Sequence, residues 1–282
     1  LNHLGEPFAD SSLLPASLVS LYTRQHVTVA LSGDGGDELF GGYWRYLGHE
    51  YLERYRRVPG LLRKGVIEPL LRLAPTGKST RWMNRLRQAR KLLRGDLPDP
   101  LQRHLAWARF LDMRLSSELI GAQRARNADE RLTRLLREAV ADLRPQAPPA
   151  SPLEEILLAD LGVGLPDDML FKVDTASMYH SLEVRVPLLS KELVDYATGL
   201  PIEYRIAGSQ GKRILRDAFR GLVPEAILTR RKMGFEVPVG EFLRNELRGM
   251  FHDVVTPDAM RDFGIEPAVA ARVYQHHAAR RE

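Results

Sequence analysis

Five glycines set among acids, in Ser32 to Tyr43 (SGDGGDELFGGY), follow directly on the β-branched run His26 to Leu31 (HVTVAL). Gly33, Gly35, Gly36, Gly41 and Gly42 rule out a regular element across most of that segment, so it reads as a loop at the carboxyl end of a strand. Leucines at helical spacing over Pro15 to Gln25 predict a helix before it. A strand whose carboxyl end meets such a loop is the arrangement of the ligand crevice in open parallel α/β sheets. One strand makes no sheet, so its partners are expected upstream, and the chain reads as a fragment.

Small residues let backbone amides approach a ligand closely, and consecutive N–H groups in a turn form an anion nest. Asp34, Asp37 and Glu38 lie inside this one. Carboxylates beside a nest repel phosphate unless a divalent cation bridges them to it, which points to a magnesium-bound pyrophosphate. The plainer alternative is a glycine-rich turn with Asp37 capping a helix start. A Walker A loop is excluded: Gly77, Lys78 and Ser79 imitate its end, but position 72 is Arg. The spacing of Asp34 and Asp37 does not fit an EF-hand loop.

From Tyr43 onward apolar residues recur every three or four positions, broken near Pro59, Pro75, Pro98, Pro145 to Pro149, Pro166, Pro187, Pro201 and Pro224, which predicts a helical array. We divide the chain into 1–58 (strand and glycine loop), 59–150 (helical insertion) and 151–282 (a second helical region), with Arg144 to Pro152 as a loop between helical layers. No cysteine is present, which removes disulfides and thiolate chemistry. The net charge of +5 is modest, and the Arg-rich runs Arg54 to Arg63 and Arg81 to Arg94 read as solvated helix faces. Trp44, Trp82 and Trp107 read as helix-packing residues, so nucleic acid is not expected as a partner. No apolar run is long enough to span a membrane and the first residues lack a signal core, so a cytoplasmic protein is expected.

The string Ser32 to Tyr43 resembles the SG-[ED]-G-x-D-E-x-F-G-G-Y signature of asparagine synthetases at every fixed position, and Glu6 to Ser12 (EPFADSS) resembles a stretch that family carries two elements earlier. Leu165 to Pro187 (LPDDMLFKVDTASMYHSLEVRVP) resembles a second family segment, with Thr175 in place of the usual Arg. Its residues alone predict an amphipathic helix beneath the site, in which Asp168 and Lys172 pair, Asp167 and Asp174 share a face, and Met169, Phe171, Val173 and Met178 reach the core. Asp174, Glu183 and Arg185 are read as scaffold groups that hold the loop acids. Gly211 onward (GKRILRDAF) and Arg230 to Val239 (RRKMGFEVPV) resemble the family's third segment, in which Lys232 matches a phosphate-contacting lysine.

The resemblance implies a predominantly helical α/β fold, part of a HUP-type ATP-pyrophosphatase domain with few strands remaining. It implies adenylation of the aspartate side chain by MgATP and displacement of AMP by ammonia, with ATP and Mg2+ as the cofactors. On that reading Ser32 and Gly33 contact ATP and Gly35 and Gly36 lend amides. Asp37 handles metal and pyrophosphate, Asp34 and Glu38 position substrate, and Lys232 stabilises charge. The family's S-G-G-x-D-S loop and its N-terminal glutaminase domain, which supplies ammonia from glutamine, do not occur in this sequence. The chain by itself is therefore expected to be inactive, with that domain as its partner and a homodimer compatible with the reading. Relatives that activate a sugar acid, or close a β-lactam or lasso peptide, share these motifs. An RNA-binding module and a non-catalytic helical domain are the alternatives of another class.

Overall fold

The computed structural model describes residues 8–73, 81–144, 149–208, 210–230 and 237–279. Lys232, the Gly77 to Ser79 stretch, Glu6, Pro7 and most of the Pro145 to Pro149 loop lie outside them, as does the side chain of Trp82. Among the described residues the fold is mostly helical with two small two-stranded sheets, and no helix is long and apolar enough to cross a membrane.

The first helix, α1 (Leu13–Arg24), begins and ends close to its expected bounds. It turns Ser20 inward and packs on the helix Phe171–Met178, tied by Ser17 Oγ to His180 Nε2 at 2.9 Å and by Arg24 Nε to the Ser181 carbonyl at 3.0 Å. Strand β1 is shorter than the apolar run that predicts it, Val29–Leu31. Its partner is within the chain: β2 (Glu183–Arg185) pairs with it in parallel, Val29 opposite Glu183 and Leu31 opposite Arg185. This corrects the expectation that every partner strand lies upstream, and the reason is local. Leu165 to Pro187 is not one amphipathic helix. It winds as a π-helix over Asp160–Leu170 with Pro166 inside, continues as an α-helix over Phe171–Met178, then extends into β2.

The same change of winding rearranges the expected contacts. Lys172 Nζ donates to Asp10 Oδ2 at 2.7 Å rather than to Asp168, and Met178, expected in the core, is 56% exposed. An i→i+5 ladder displaces the i+4 neighbour that an α-helix would align. The glycine segment also departs from a plain loop, because α2 (Gly36–Phe40) forms a short helix between two left-handed glycines, Gly35 (φ 81°) and Gly41 (φ 70°).

Two apolar clusters position these parts. The larger joins Tyr46 from α3 (Trp44–Arg56) to Leu101, Leu136, Val140 and the helix Pro152–Ala159, whose Leu153, Ile156, Leu157, Leu158 and Ala159 are all buried. A helix that is apolar around most of its circumference after an acidic first turn lies inside. Ser151 starts it by accepting from the Glu154 N–H at 3.1 Å, while Glu154 reaches back to the Ala150 N–H at 2.7 Å, a variant of the capping box. The smaller cluster seats α2: Leu39 and Phe40, each 1% exposed, pack on Leu161, Leu189, Leu193, Val194, Ile214, Leu215 and Ala197. Burying each of these two side chains stabilises the turn by roughly 1.5–3 kcal/mol.

The Arg-rich run of α3 is only partly a solvated face. Arg54 is well exposed, whereas Arg56 Nε stands 2.7 Å and Arg63 Nη1 3.2 Å from the two oxygens of Asp96, so the run also clamps a neighbouring segment.

Candidate active site

The glycine turn springs from the β1–β2 pair. Beyond Leu31 the parallel ladder runs on for one bond, from the Ser32 N–H to the Arg185 carbonyl at 2.8 Å. Both strands therefore release their following loops at the same edge. The loop after β2 folds as a short 3-10 turn (Pro187–Leu189) whose leucines close over the glycines. A Cβ on Gly35 would meet Leu189 Cδ2 at 2.2 Å, and one on Gly36 would meet Leu188 Cδ1 at 2.8 Å.

Within the turn, Ser32 Oγ donates to Asp34 Oδ2, and the Gly36 N–H closes on the Gly33 carbonyl at 3.3 Å. Gly33 is exposed, Ser32, Asp34 and Asp37 are half-buried, and Gly35, Gly36 and Glu38 are buried. Ser32, Gly33, Asp34, Gly35, Gly36, Asp37 and Glu38 thus share one turn but do not face one way. Glu38 points inward, where it accepts from Tyr43 Oη at 2.5 Å, and burial pushes its carboxyl above the usual range. The Tyr43 hydroxyl is likewise raised by burial and by the Glu38 charge, which keeps it a donor.

Among the described residues the cation at this turn is Lys212, whose Nζ lies 2.9 Å from Asp37 Oδ1. It belongs to the third sequence segment but was not the lysine that segment singled out. A two-stranded antiparallel hairpin, β3 (Ile206–Ala207) and β4 (Gln210–Gly211), brings it there. Gly211 approaches so closely that a Cβ would stand 2.1 Å from the Gly41 carbonyl, and the Lys212 N–H donates to the Phe40 carbonyl at 2.8 Å. Lys212 itself is left-handed at φ 57°, a conformation that side chains rarely adopt outside constrained sites. Gly42 leaves room for the pair: a Cβ there would meet Asp37 Oδ1 at 1.7 Å and Lys212 Cε at 2.5 Å.

The remaining expected residues are not gathered at the turn. Asp174 is exposed on the helix Phe171–Met178. Glu183 and Arg185 pair with each other at 2.6 Å, both largely exposed, so Arg185 meets the turn through its carbonyl and not its guanidinium. Lys232 lies outside the described residues.

Among the described residues no group of three or more His, Asp or Glu side chains could hold a metal ion. The donor set at the turn is the carboxylate of Asp37 beside an ammonium. That fits magnesium arriving with a phosphate tail, which needs only one or two protein carboxylates, better than a resident ion in a protein cage. A separate open cleft of about 810 Å3, lined by Glu118, Gly121, Pro257, Arg261, Gly264 and Glu266 among others, shares no residue with the turn.

A sequence model of the family described as Asparagine synthase matches residues 1–282. The chain is 30% identical over 278 residues to asparagine synthetase [glutamine-hydrolyzing] 1 of Bacillus subtilis (strain 168), covering 98% of this chain and 41% of that protein. It is 33% identical over 244 residues to a putative asparagine synthetase [glutamine-hydrolyzing] of Mycobacterium bovis, covering 86% of this chain and 34% of that one. A 58-residue stretch is 50% identical to a putative asparagine synthetase of Methanocaldococcus jannaschii, covering 21% of this chain and 11% of that protein. The chain thus spans about two fifths or less of the length of these relatives. No solved structure matches.

Proposed function

This chain belongs to the asparagine synthase family, and on that premise we propose that its glycine turn binds the phosphates of ATP for the amidation of aspartate. The observation that carries the reading is the Asp37–Lys212 pair set beside the amides of Ser32 to Gly36. An ammonium and a carboxylate side by side suit a ligand that brings both anionic oxygens and their counter-ion.

A carboxylate is a poor electrophile, so activation comes first. A side-chain carboxylate oxygen of aspartate attacks the α-phosphorus, the bond to the β-phosphate oxygen breaks, and pyrophosphate leaves with the electron pair. Ammonia then attacks the acyl carbon, AMP departs, and a proton is lost from nitrogen to give asparagine. The Lys212 ammonium and the turn's N–H groups hold the phosphates in line and meet the charge that grows on the leaving group. Asp37 would hold magnesium, which when bound neutralises phosphate charge and acts as a Lewis acid. Ser32, by donating to Asp34, holds that carboxylate for the substrate, while Glu38 acts from beneath by anchoring Tyr43. Lys232 remains proposed as a second cation over the phosphates.

The remainder of the longer protein is proposed to supply ammonia from glutamine and the other phosphate loop. Aspartate-dependent release of pyrophosphate from MgATP by the full-length protein tests the reading. Release with another carboxylate and none with aspartate would assign a different acceptor, and no release with any carboxylate would overturn it.

A further inference from the structure

The turn's inward side is wired to a buried carboxylate far along the chain. Asp160, 6% exposed, begins the π-helix beneath α3. Its Oδ1 meets His104 Nε2 at 2.8 Å, and its Oδ2 accepts from Tyr46 Oη at 2.5 Å and Arg45 Nη2 at 2.9 Å. Gly164 leaves space for this carboxylate, since a Cβ there would stand 3.1 Å from Oδ1. Arg45, so held, lays its guanidinium 4.4 Å over the ring of Tyr43, the residue that closes the glycine turn. Tyr43 in turn donates to Glu38, the neighbour of Asp37.

Resting on the function proposed above, we propose that Asp160 is a positioning residue for the nucleotide turn, acting through Arg45 and Tyr43 on Glu38 and hence on the placement of Asp37. Stability alone does not account for the arrangement. A buried ion pair gains little over well-packed apolar side chains, because desolvation offsets the attraction. What a network that engages both oxygens of one buried carboxylate does provide is a single fixed geometry. Here the fixed element is a planar guanidinium, anchored by Asp160 at one end and lying over the Tyr43 ring at the other. Burial works against the Asp160 charge, yet His104 and Arg45 hold its carboxyl down to about 2, so the anchor stays ionised at any working pH. Chemistry at the turn needs this, since a misplacement of about 1 Å costs up to ~100-fold in rate.

The test uses the full-length protein and pyrophosphate release, with Asp160→Asn, Tyr43→Phe, their double variant, and Asp112→Ala as a control. Asp112 caps the helix Met113–Ile120, which carries no residue of the turn or the relay, so it reports plain destabilisation. Asp160→Asn is expected to lower kcat at least about tenfold while KM for ATP moves less than about threefold. The double variant is expected to be no worse than the poorer single, because both cut one chain. Arg45→Lys, which keeps the charge without the flat stack, is expected to fall between wild type and Asp160→Asn. A kcat for Asp160→Asn equal to that of Asp112→Ala, or independent additive losses in the double variant, would overturn the inference with the proposed function intact. A wild type that neither binds MgATP nor releases pyrophosphate would remove both.

Discussion

Asp37 and Lys212 stand 2.9 Å apart, carboxylate oxygen to ammonium nitrogen, across the seam between the glycine turn and the β3–β4 hairpin. The pair is open enough, at 30% and 19% side-chain exposure, that it contributes no more than about 1 kcal/mol to folding. Its position therefore bears on ligand binding and chemistry. Lys212→Met is expected to leave thermal unfolding nearly unchanged and to reduce pyrophosphate release by the full-length protein by about 100-fold or more. Steady-state kinetics beside a melting curve checks this, and a variant that melts early but turns over normally would contradict it.

Gly42→Ala should act on the same pair sterically. The added carbon would fall 1.7 Å from Asp37 Oδ1, so the carboxylate has to move, and MgATP affinity is expected to drop about tenfold or more. Gly60→Ala serves as the comparison. Nothing lies within 4 Å of a Cβ there, and it starts a short helix, so a gain of up to ~0.5–1 kcal/mol is expected. Titration calorimetry on both variants separates a local clash from a general effect of replacing glycine.

His49 gives the fold an acid-sensitive core. Burial first, then the charges of His104 and Arg103, push its imidazole from the ordinary value near 6.5 down to about 2. The folded state keeps it neutral while the unfolded chain takes up a proton, so stability falls as pH drops below about 6.5, by up to about 1.4 kcal/mol per unit. Asp160 acts in the same direction at lower pH: its lowered carboxyl contributes stability that is full above the ordinary aspartate value near 3.8 and is lost as pH falls toward about 2. Denaturant midpoints between about pH 7 and pH 4.5 should therefore decline, and His49→Phe should flatten that decline. An unchanged slope in the variant would assign the sensitivity elsewhere.

An apolar surface runs along the outside of α1 and onto β1: Leu14, Leu18, Val19, Tyr22 and Leu31 are 51–74% exposed, with Met178 and Tyr179 beside them. A patch of this kind is expected to be covered by another part of the longer protein whose function is proposed above. Leu18→Lys is expected to change the stability of this chain by less than about 0.5 kcal/mol and to raise its solubility. In the full-length protein the same change is expected to cost about 2 kcal/mol or more. Equal effects in the two contexts would refute that packing.

Much of the site was legible because its constraints are local. The glycines at 35 and 41 occupy left-handed backbone, and the acids among them follow directly on a strand, so residue type and order sufficed to find the turn. The direction each acid faces was not legible. Glu38 turns inward because Tyr43 and the helix Pro152–Ala159 region offer it burial, a tertiary circumstance that spacing does not encode. Lys212 escaped notice for a related reason: only the close approach of Gly211 to the Gly41 carbonyl brings it across, and GKR alone reads as a helix start. Glu183 and Arg185 meet the turn's strand through backbone pairing, a contact that residue type does not encode. The π-winding at Asp160–Leu170 hid the rest, since periodicity arguments assume 3.6 residues per turn.

The parallel pairing of β1 with β2 closes the chain on itself, so everything from α3 to the end of the π-helix leaves the crevice and returns to its edge. Such an excursion resembles a handle fixed at both ends. Lengthening or trimming its outer helices should leave the crevice unmoved, whereas a single residue gained or lost in either three-residue strand would slip the handle's anchor and turn the following loop to the opposite face.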